Sequence, residues 1–216
     1  MVTLWELVQN QWSLCEDRED ALLDSLFQLR TSTNGMILEA TNAMISLLTE
    51  VCDPPFLLSL LHAALERFIS TVRTGTGFTS RDQVYGERAA AAGYSFALNA
   101  MGMCILHLPQ EAVEVEAKQL AGPVMEALRL DSSCAVMARQ AAHRVILAVQ
   151  CVITDDVRTL ALVPRLSTGQ RSFATYLMQQ NGVMGRADDE AEADARRRTV
   201  LNELIGGLAK GTRGSI

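Results

Sequence analysis

Apolar residues recur at helical spacing along most of this chain, and short polar breaks separate the runs. The clearest stretch extends from Leu120 to Ile153. There an apolar run opens at Gly122-Pro123, stops at Asp131-Ser132-Ser133 and then resumes. A break followed by a restart of the same period predicts two helices packed as a hairpin. Because one hairpin cannot bury its own apolar face, the pattern predicts a stack of about five or six such hairpins.

Proline, glycine and N-capping residues divide the rest of the chain into further helices. Asp53-Pro54-Pro55 ends one helix and begins the next, because proline fits a first turn where its missing N–H is not needed. Inside the long helix predicted over 81–107, glycine and alanine alternate at helical spacing, which predicts close approach of another helix. The helices predicted outside the hairpin cover residues 3–11, 13–29, 36–51, 54–73, 81–107, 110–120, 156–163 and 168–180.

The C-terminal segment has its own pattern. Five of the seven residues 188–194 are acidic, and Arg196-Arg197-Arg198 follow. Acidic residues at the start and basic residues further on suit the helix dipole. Leu201, Leu204 and Ile205 form an apolar edge, so we expect an amphipathic helix over 187–210 that docks on its own body or on another chain. The predicted organisation is a helical array over 1–186, a mobile hinge at 182–186, this helix, and a frayed tail at 211–216.

Composition supports one all-α domain. Of the 216 residues 49% are hydrophobic and only 5% aromatic, which is typical of helices packed on helices. The net charge of −6 argues against binding of nucleic acid. Residues 1–60 carry nine acids and two arginines, whereas residues 131–186 carry six arginines and three acids. We therefore expect an acidic protein partner for four arginines, although solvated surface charge is an open alternative: Arg129, Arg158, Arg165 and Arg171.

The sequence offers little for catalysis or for a metal. The five cysteines lie far apart without a C-x-x-C pair, and the three histidines lie on different predicted helices. Gly75-Thr76-Gly77 follows a helix and lacks the G-K-[ST] of a phosphate loop. We therefore expect no cofactor, no metal and no enzymatic activity, and reduced thiols of the cytosol or the nucleus. Residues 89–108 contain no Asp, Glu, Lys or Arg, but their Ala and Gly content favours a buried helix over a membrane span.

The hairpin resembles a HEAT repeat over residues 117–153, and Asp156-Val157-Arg158 resembles a shorter copy. In HEAT repeats the first helix commonly contains a proline, and the second follows an aspartate and begins with a Val-Arg pair and alanines. Here the valine and the arginine are separated by two residues instead of being adjacent. The matching positions are Leu120, Pro123, Leu128, Asp131, Val136, Arg139, Ala141, Ala142 and Ile146.

The resemblance implies a HEAT- or armadillo-like α-solenoid that holds other proteins on a helical surface, as a scaffold or adaptor. Tubulin-binding TOG domains, which are HEAT proteins of similar length, place a tryptophan in their first intra-repeat turn, and Trp12 is similar in position. The acidic first third of the chain counts against this alternative, because a surface that meets acidic tubulin is basic. A self-associating helical regulatory subunit is the third hypothesis, with the C-terminal helix as its contact.

Overall fold

The described part of the chain is entirely helical. A computed structural model describes residue 6 and residues 18–75, 80–131, 135–163 and 166–210. Within these residues it contains nine α-helices and no strand, which confirms the predicted fold class. The helices are α1 (Glu19–Leu29), α2 (Gly35–Val51), α3 (Pro54–Gly75), α4 (Ser80–Leu106), α5 (Gln110–Arg129), α6 (Val136–Ile153), α7 (Asp156–Leu162), α8 (Thr168–Gln180) and α9 (Glu190–Lys210).

The first eight of these helices form two layers. Helices α1, α3, α5 and α7 contact one another in that order and make up the A layer. Helices α2, α4, α6 and α8 do the same in the B layer. Three consecutive pairs, α1/α2, α3/α4 and α5/α6, pack across the layers as hairpins, and α7 and α8 extend the two rows. This is the arrangement of an α-solenoid, in which each hairpin buries its apolar face against its neighbours.

The core lies where α4 packs against α6. Phe96, Leu98 and Met101 of α4 are fully buried, as are Ala138, Ala142 and other small residues of α6. By length and composition alone α3, α4 and α6 could cross a membrane, but 89% of the apolar window in α4 is buried inside the protein. The uncharged run at 89–108 therefore supplies the centre of the array.

One predicted close approach is confirmed at Gly93. A Cβ atom built on Gly93 would lie 2.5 Å from the Phe68 ring, so α3 and α4 are packed too closely for a side chain there. Helix ends also follow the predicted chemistry. Ser167 and Gln170 form a capping box at the start of α8, and Gly182 follows its end with a φ of +63°.

Some sequence predictions need correction, and others fall outside the described residues. Gly122-Pro123 does not begin a helix, because α5 runs unbroken through it. Pro123 removes one N–H donor, but a continuous buried stripe holds the helix together on both sides of it. The stripe consists of Val113, Ala117, Leu120, Val124 and Leu128. Apart from residue 6, which is helical, the helix predicted over 3–11 lies outside the described residues, as does the start of the next one.

The segment 182–186 was predicted as a mobile hinge and is instead fastened to the array. The Gly185 amide donates to Asp156 Oδ1 over 3.2 Å, and Gln150 Nε2 donates to the Val183 carbonyl over 3.3 Å. Arg196 Nη1 donates to the Gly185 carbonyl over 3.0 Å. The segment therefore fixes the position at which α9 begins.

Candidate protein-binding surfaces

Helix α9 lies along the B layer and contacts α6, α4 and α2. Leu204 is fully buried, and its Cδ2 lies 2.6 Å from where a Cβ on Gly102 of α4 would be. Leu201 is half-buried, and Ile205 is 43% exposed. Of the two docking modes predicted for this helix, the structure shows the one on its own body. Leu204 is thus corrected from a partner-binding residue to a core residue, which leaves little apolar edge for a second chain.

Buried polar groups hold the C-terminal end of α9. Arg30 Nη2 and Asn42 Nδ2 both donate to the Leu208 carbonyl, over 3.2 and 3.0 Å. Arg30 is 4% exposed, and its guanidinium carbon lies 5.9 Å from the centroid of the Phe96 ring. Burial lowers the pKa of Arg30 to about 10. A cation at the carbonyl end of a helix complements its dipole, so Arg30, which directly follows α1, and Asn42 of α2 together hold the end of α9.

The middle of α9 fits equally closely. A Cβ on Gly207 would lie 2.5 Å from Asn99 Oδ1 and 2.6 Å from Arg144 Nη1. Arg144 Nε also lies 3.7 Å from Glu203 Oε2. The helix therefore covers the outer face of α2, α4 and α6. Among the described residues, α9 thus covers three helices of the B layer, and no helix covers the A layer.

The predicted arginines do not form one patch. Arg129 Nη1 lies 3.5 Å from Glu126 on its own helix, and Arg158 forms an ion pair with Glu114. Glu114 and Arg129 lie at opposite ends of α5, about 22 Å apart at 1.5 Å per residue. Arg129 and Arg158 therefore lie in different places along the array, and their role in binding stays a prediction. Arg171 Nε donates to the neutral Leu166 carbonyl over 3.3 Å. Arg165 and Trp12 lie outside the described residues.

Arginines instead bridge neighbouring helices of the A layer. Arg67 of α3 lies 2.7 Å from Asp20 and 2.9 Å from Asp24 of α1. Arg73 of α3 lies 3.5 Å from Glu126 of α5. The Arg158–Glu114 pair joins α7 to α5 in the same way. Two acids of the first third, Asp20 and Asp24, are thus paired within the chain. Sequence periodicity could not reveal these ion pairs because the partners are 43 to 53 residues apart.

A groove opens between α3 and α5 on the A-layer side, with a volume of about 480 Å³. Leu65, Ile69 and Pro123 line it, and Tyr94 of α4 lies at its base with 5% of its surface exposed. Burial raises the pKa of Tyr94. The Arg73–Glu126 pair stands at the rim. Exposed Gly122 lines the groove too, and a Cβ built on it would meet nothing within 4 Å. We name this feature the A-layer groove.

A second surface lies on α8, where the aromatic rings are half-exposed. The Phe173 ring packs edge-on against His143 of α6 with 4.8 Å between centroids, and Tyr176 lies 6.3 Å from Phe173. Phe173 and Tyr176 are 47% and 51% exposed. Burial lowers the pKa of His143, and the neighbouring Arg139 and Arg144 charges act in the same direction. We name His143, Phe173 and Tyr176 the α8 surface; the sequence analysis did not single it out.

The described residues include no group of three or more His, Cys, Asp or Glu that could hold a metal ion. Cys52, Cys104 and Cys151 are buried cysteines. Burial raises the pKa of Cys104, and raises that of Cys151 to about 11, so both remain protonated near neutral pH.

The fold and these surfaces define a helical-repeat protein with the build of a HEAT-like α-solenoid. The chain is similar to Protein STU1 from two strains of Cryptococcus neoformans var. neoformans serotype D. It is 36% identical to each over 236 residues, which cover 98% of this chain and 19% of the relative. The chain thus spans about a fifth of the length of the curated relatives it matches. No family model matches the chain, and no solved structure does.

Proposed function

We propose that the chain is a non-enzymatic protein-interaction module of the cytoplasm and forms one section of a larger scaffold. One observation carries the proposal: in the described part of the chain α9 covers α2, α4 and α6 of the B layer, whereas the A layer has a groove with an apolar base and a charged rim. Apolar clefts with a few polar groups at the edge are the usual form of a binding site. The similarity to one section of a much longer protein supports the role of a section.

The composition of α5 at the A-layer groove supports the same proposal. Glycine inside a helix costs about 1 kcal/mol relative to alanine, and no neighbour requires its small size at position 122. Pro123 has no N–H to donate to the Gln119 carbonyl, which adds a second local cost. Two unfavourable residues in sequence are explained if another molecule approaches the backbone of α5 there.

Site-specific photocrosslinking tests the proposal. A photoreactive phenylalanine analogue replaces Gly122 in the groove or, as a control, exposed Arg197 on α9. We expect defined proteins to crosslink at 122 and not at 197. Gly122→Trp, which fills the groove, should reduce their copurification with the chain, and Gly122→Ala should leave it unchanged. Equal crosslinking at both positions, or capture unaffected by Gly122→Trp, would refute the groove as the binding site.

Tubulin binding in the manner of a TOG domain is the second candidate. The all-α solenoid of the described residues has the build that the TOG resemblance implies, and the similarity to Protein STU1 is compatible with it. Cosedimentation with microtubules and size-exclusion chromatography with free tubulin test it, with Trp12→Ala as the site variant and Gly122→Ala as the matched control. The candidate fails if the wild-type chain binds neither form, or if Trp12→Ala binds as strongly as the wild type.

A further inference from the structure

Helix α8 is held mainly by α6, at the end of the B layer, and only two of its residues are buried, Ala174 and Met178. Phe173 is 47% exposed, and its ring packs 4.8 Å from the imidazole of His143, which is 8% exposed. The segment 182–186 is bound separately to α6 and α7, so α8 can leave α6 without releasing α9. A helix with so small a buried surface is among the first parts of a protein to open.

The hydrogen bonds of His143 suit its neutral form. Its Nδ1 lies 2.6 Å from the Arg139 carbonyl oxygen, one turn earlier on α6. A carbonyl oxygen only accepts, so Nδ1 carries the hydrogen and Nε2 keeps its lone pair. Nε2 is buried and has no hydrogen-bond partner among the described residues. A second proton would therefore create a buried N–H group that bears charge and has no acceptor.

The charges that act on His143 are positive. Burial lowers its pKa most, and the hydrogen bond from Nδ1 to the Arg139 carbonyl opposes this in part. The guanidinium groups of Arg139 and Arg144 lower the pKa further, although each is bound to a partner of its own. Protonation is thus disfavoured while α8 covers the imidazole, and it becomes easier once water reaches the ring.

The other helices packed on α6 supply no carboxylate that acts on this imidazole in the described structure. Glu203 of α9 pairs with an arginine, and Asp156 of α7 accepts a hydrogen bond from Gln150. Helix α8 contains no acid, and its titratable groups are Arg171 and Tyr176. The acids of α4 and α5 do not shift the pKa of the imidazole either: Asp82, Glu87, Glu111, Glu114, Glu116 and Glu126.

We propose that protonation of His143 releases α8 from α6, which makes this end of the array a pH-sensitive switch. The released imidazole has an ordinary pKa near 6.5 and the docked one a lower pKa, so the released state binds the proton first. Docking is therefore intact above pH 6.5. Below it the docking equilibrium weakens by up to about tenfold per pH unit until the docked pKa is reached. The inference is independent of the proposed function, because it involves no partner.

Hydrogen exchange measured by mass spectrometry at about pH 7.5, 6.5 and 5.5 tests the switch. The opening constants of the α8 amides are compared between the wild type and His143→Gln at the same pH, so the pH dependence of the chemical exchange step cancels. From pH 6.5 to 5.5 we expect the wild-type constant to rise by up to about tenfold, and that of His143→Gln to change by less than about twofold. At every pH the α8 amides should open at least about a hundredfold more often than those of α4.

His107→Gln is the matched control, because it removes an exposed histidine that follows α4 and should keep the wild-type pH dependence. An NMR titration of the wild type should give His143 a pKa below 6.5. A pKa at or above 6.5, as attraction of the charge to the Phe173 ring would produce, overturns the proposal. So does equal pH dependence in the wild type and His143→Gln.

Equal opening constants for α8 and α4 would show that both open only by global unfolding, and would also overturn the switch. His143→Leu replaces His143→Gln if that variant does not fold. The NMR titration and the comparison of α8 with α4 use the wild type alone, so they can refute the proposal without either variant.

Discussion

Truncation of one buried leucine measures how firmly α9 is docked. Leu204 is 0% exposed, while its neighbour Ile205 on the same helix is 43% exposed. Leu204→Ala removes three carbon groups from the core, worth about 2.4 kcal/mol at ~0.8 kcal/mol each. The cavity remains, because Leu204 faces the α4 backbone at Gly102, which cannot move into the space. The total expected loss in the free energy of unfolding is therefore about 3–4 kcal/mol.

Urea unfolding, monitored by circular dichroism at the helix band, measures the loss in the free energy of unfolding of Leu204→Ala. The loss corresponds to a midpoint shift of roughly 1 M for an m-value near 3 kcal/mol per M. Ile205→Ala is the matched control, with an expected loss below about 1 kcal/mol. Equal midpoints for the two variants, or a loss below about 1 kcal/mol for Leu204→Ala, would refute the docking of α9 on the B layer.

Three further predictions concern other parts of the array. Gly93→Ala should lower the free energy of unfolding by about 1–3 kcal/mol because its Cβ meets the Phe68 ring. Gly122→Ala should raise it by about 0.5–1 kcal/mol. Thermal melts check this pair, because the two variants should shift the melting temperature in opposite directions. The lowered pKa of His143 means that the unfolded state binds the proton first, so stability should fall as pH drops below 6.5, and His143→Gln should flatten that slope in urea titrations at several pH values. The buried, protonated Cys104 thiol should resist a maleimide in the native protein and react in urea, as peptide mapping by mass spectrometry will show; modification of the native protein at the unfolded rate would contradict its burial.

Local chemistry explains which helices the sequence predicts well. Three of the helix-end signals act only on residues close to them in sequence: Pro54 at the start of α3, the Ser167 capping box and Gly182 after α8. The sequence alone is therefore enough to predict these helix ends. The wrong prediction of a helix start at Gly122-Pro123 comes from long-range contacts and not from local ones. The preference of this dipeptide for a helix end is outweighed by core contacts of α5 made with residues distant in sequence.

The candidate surfaces were harder to predict for the same reason. Whether an arginine binds a partner or closes an internal ion pair depends on which helices become neighbours, and Arg158 became the neighbour of Glu114. The sequence shows the apolar edge of α9, but it does not show that this edge packs on α2, α4 and α6. The aromatic pair Phe173 and Tyr176 looks like core at helical spacing, and only the position of α8 at the end of a row leaves it exposed.

Helix α9 changes how the array responds to stress. In an ordinary solenoid each unit touches only the next one, so units can melt one at a time from either end. Here the single helix α9 crosses three helices of one row and is joined to the first at Asn42 and to the last at Arg144. Local unfolding of α2, α4 or α6 exposes the apolar side of α9, so the whole stack loses structure together. Because α9 connects both ends of this row, the helices are expected to unfold cooperatively and not one pair at a time, and a destabilising change at one end is expected to affect the other.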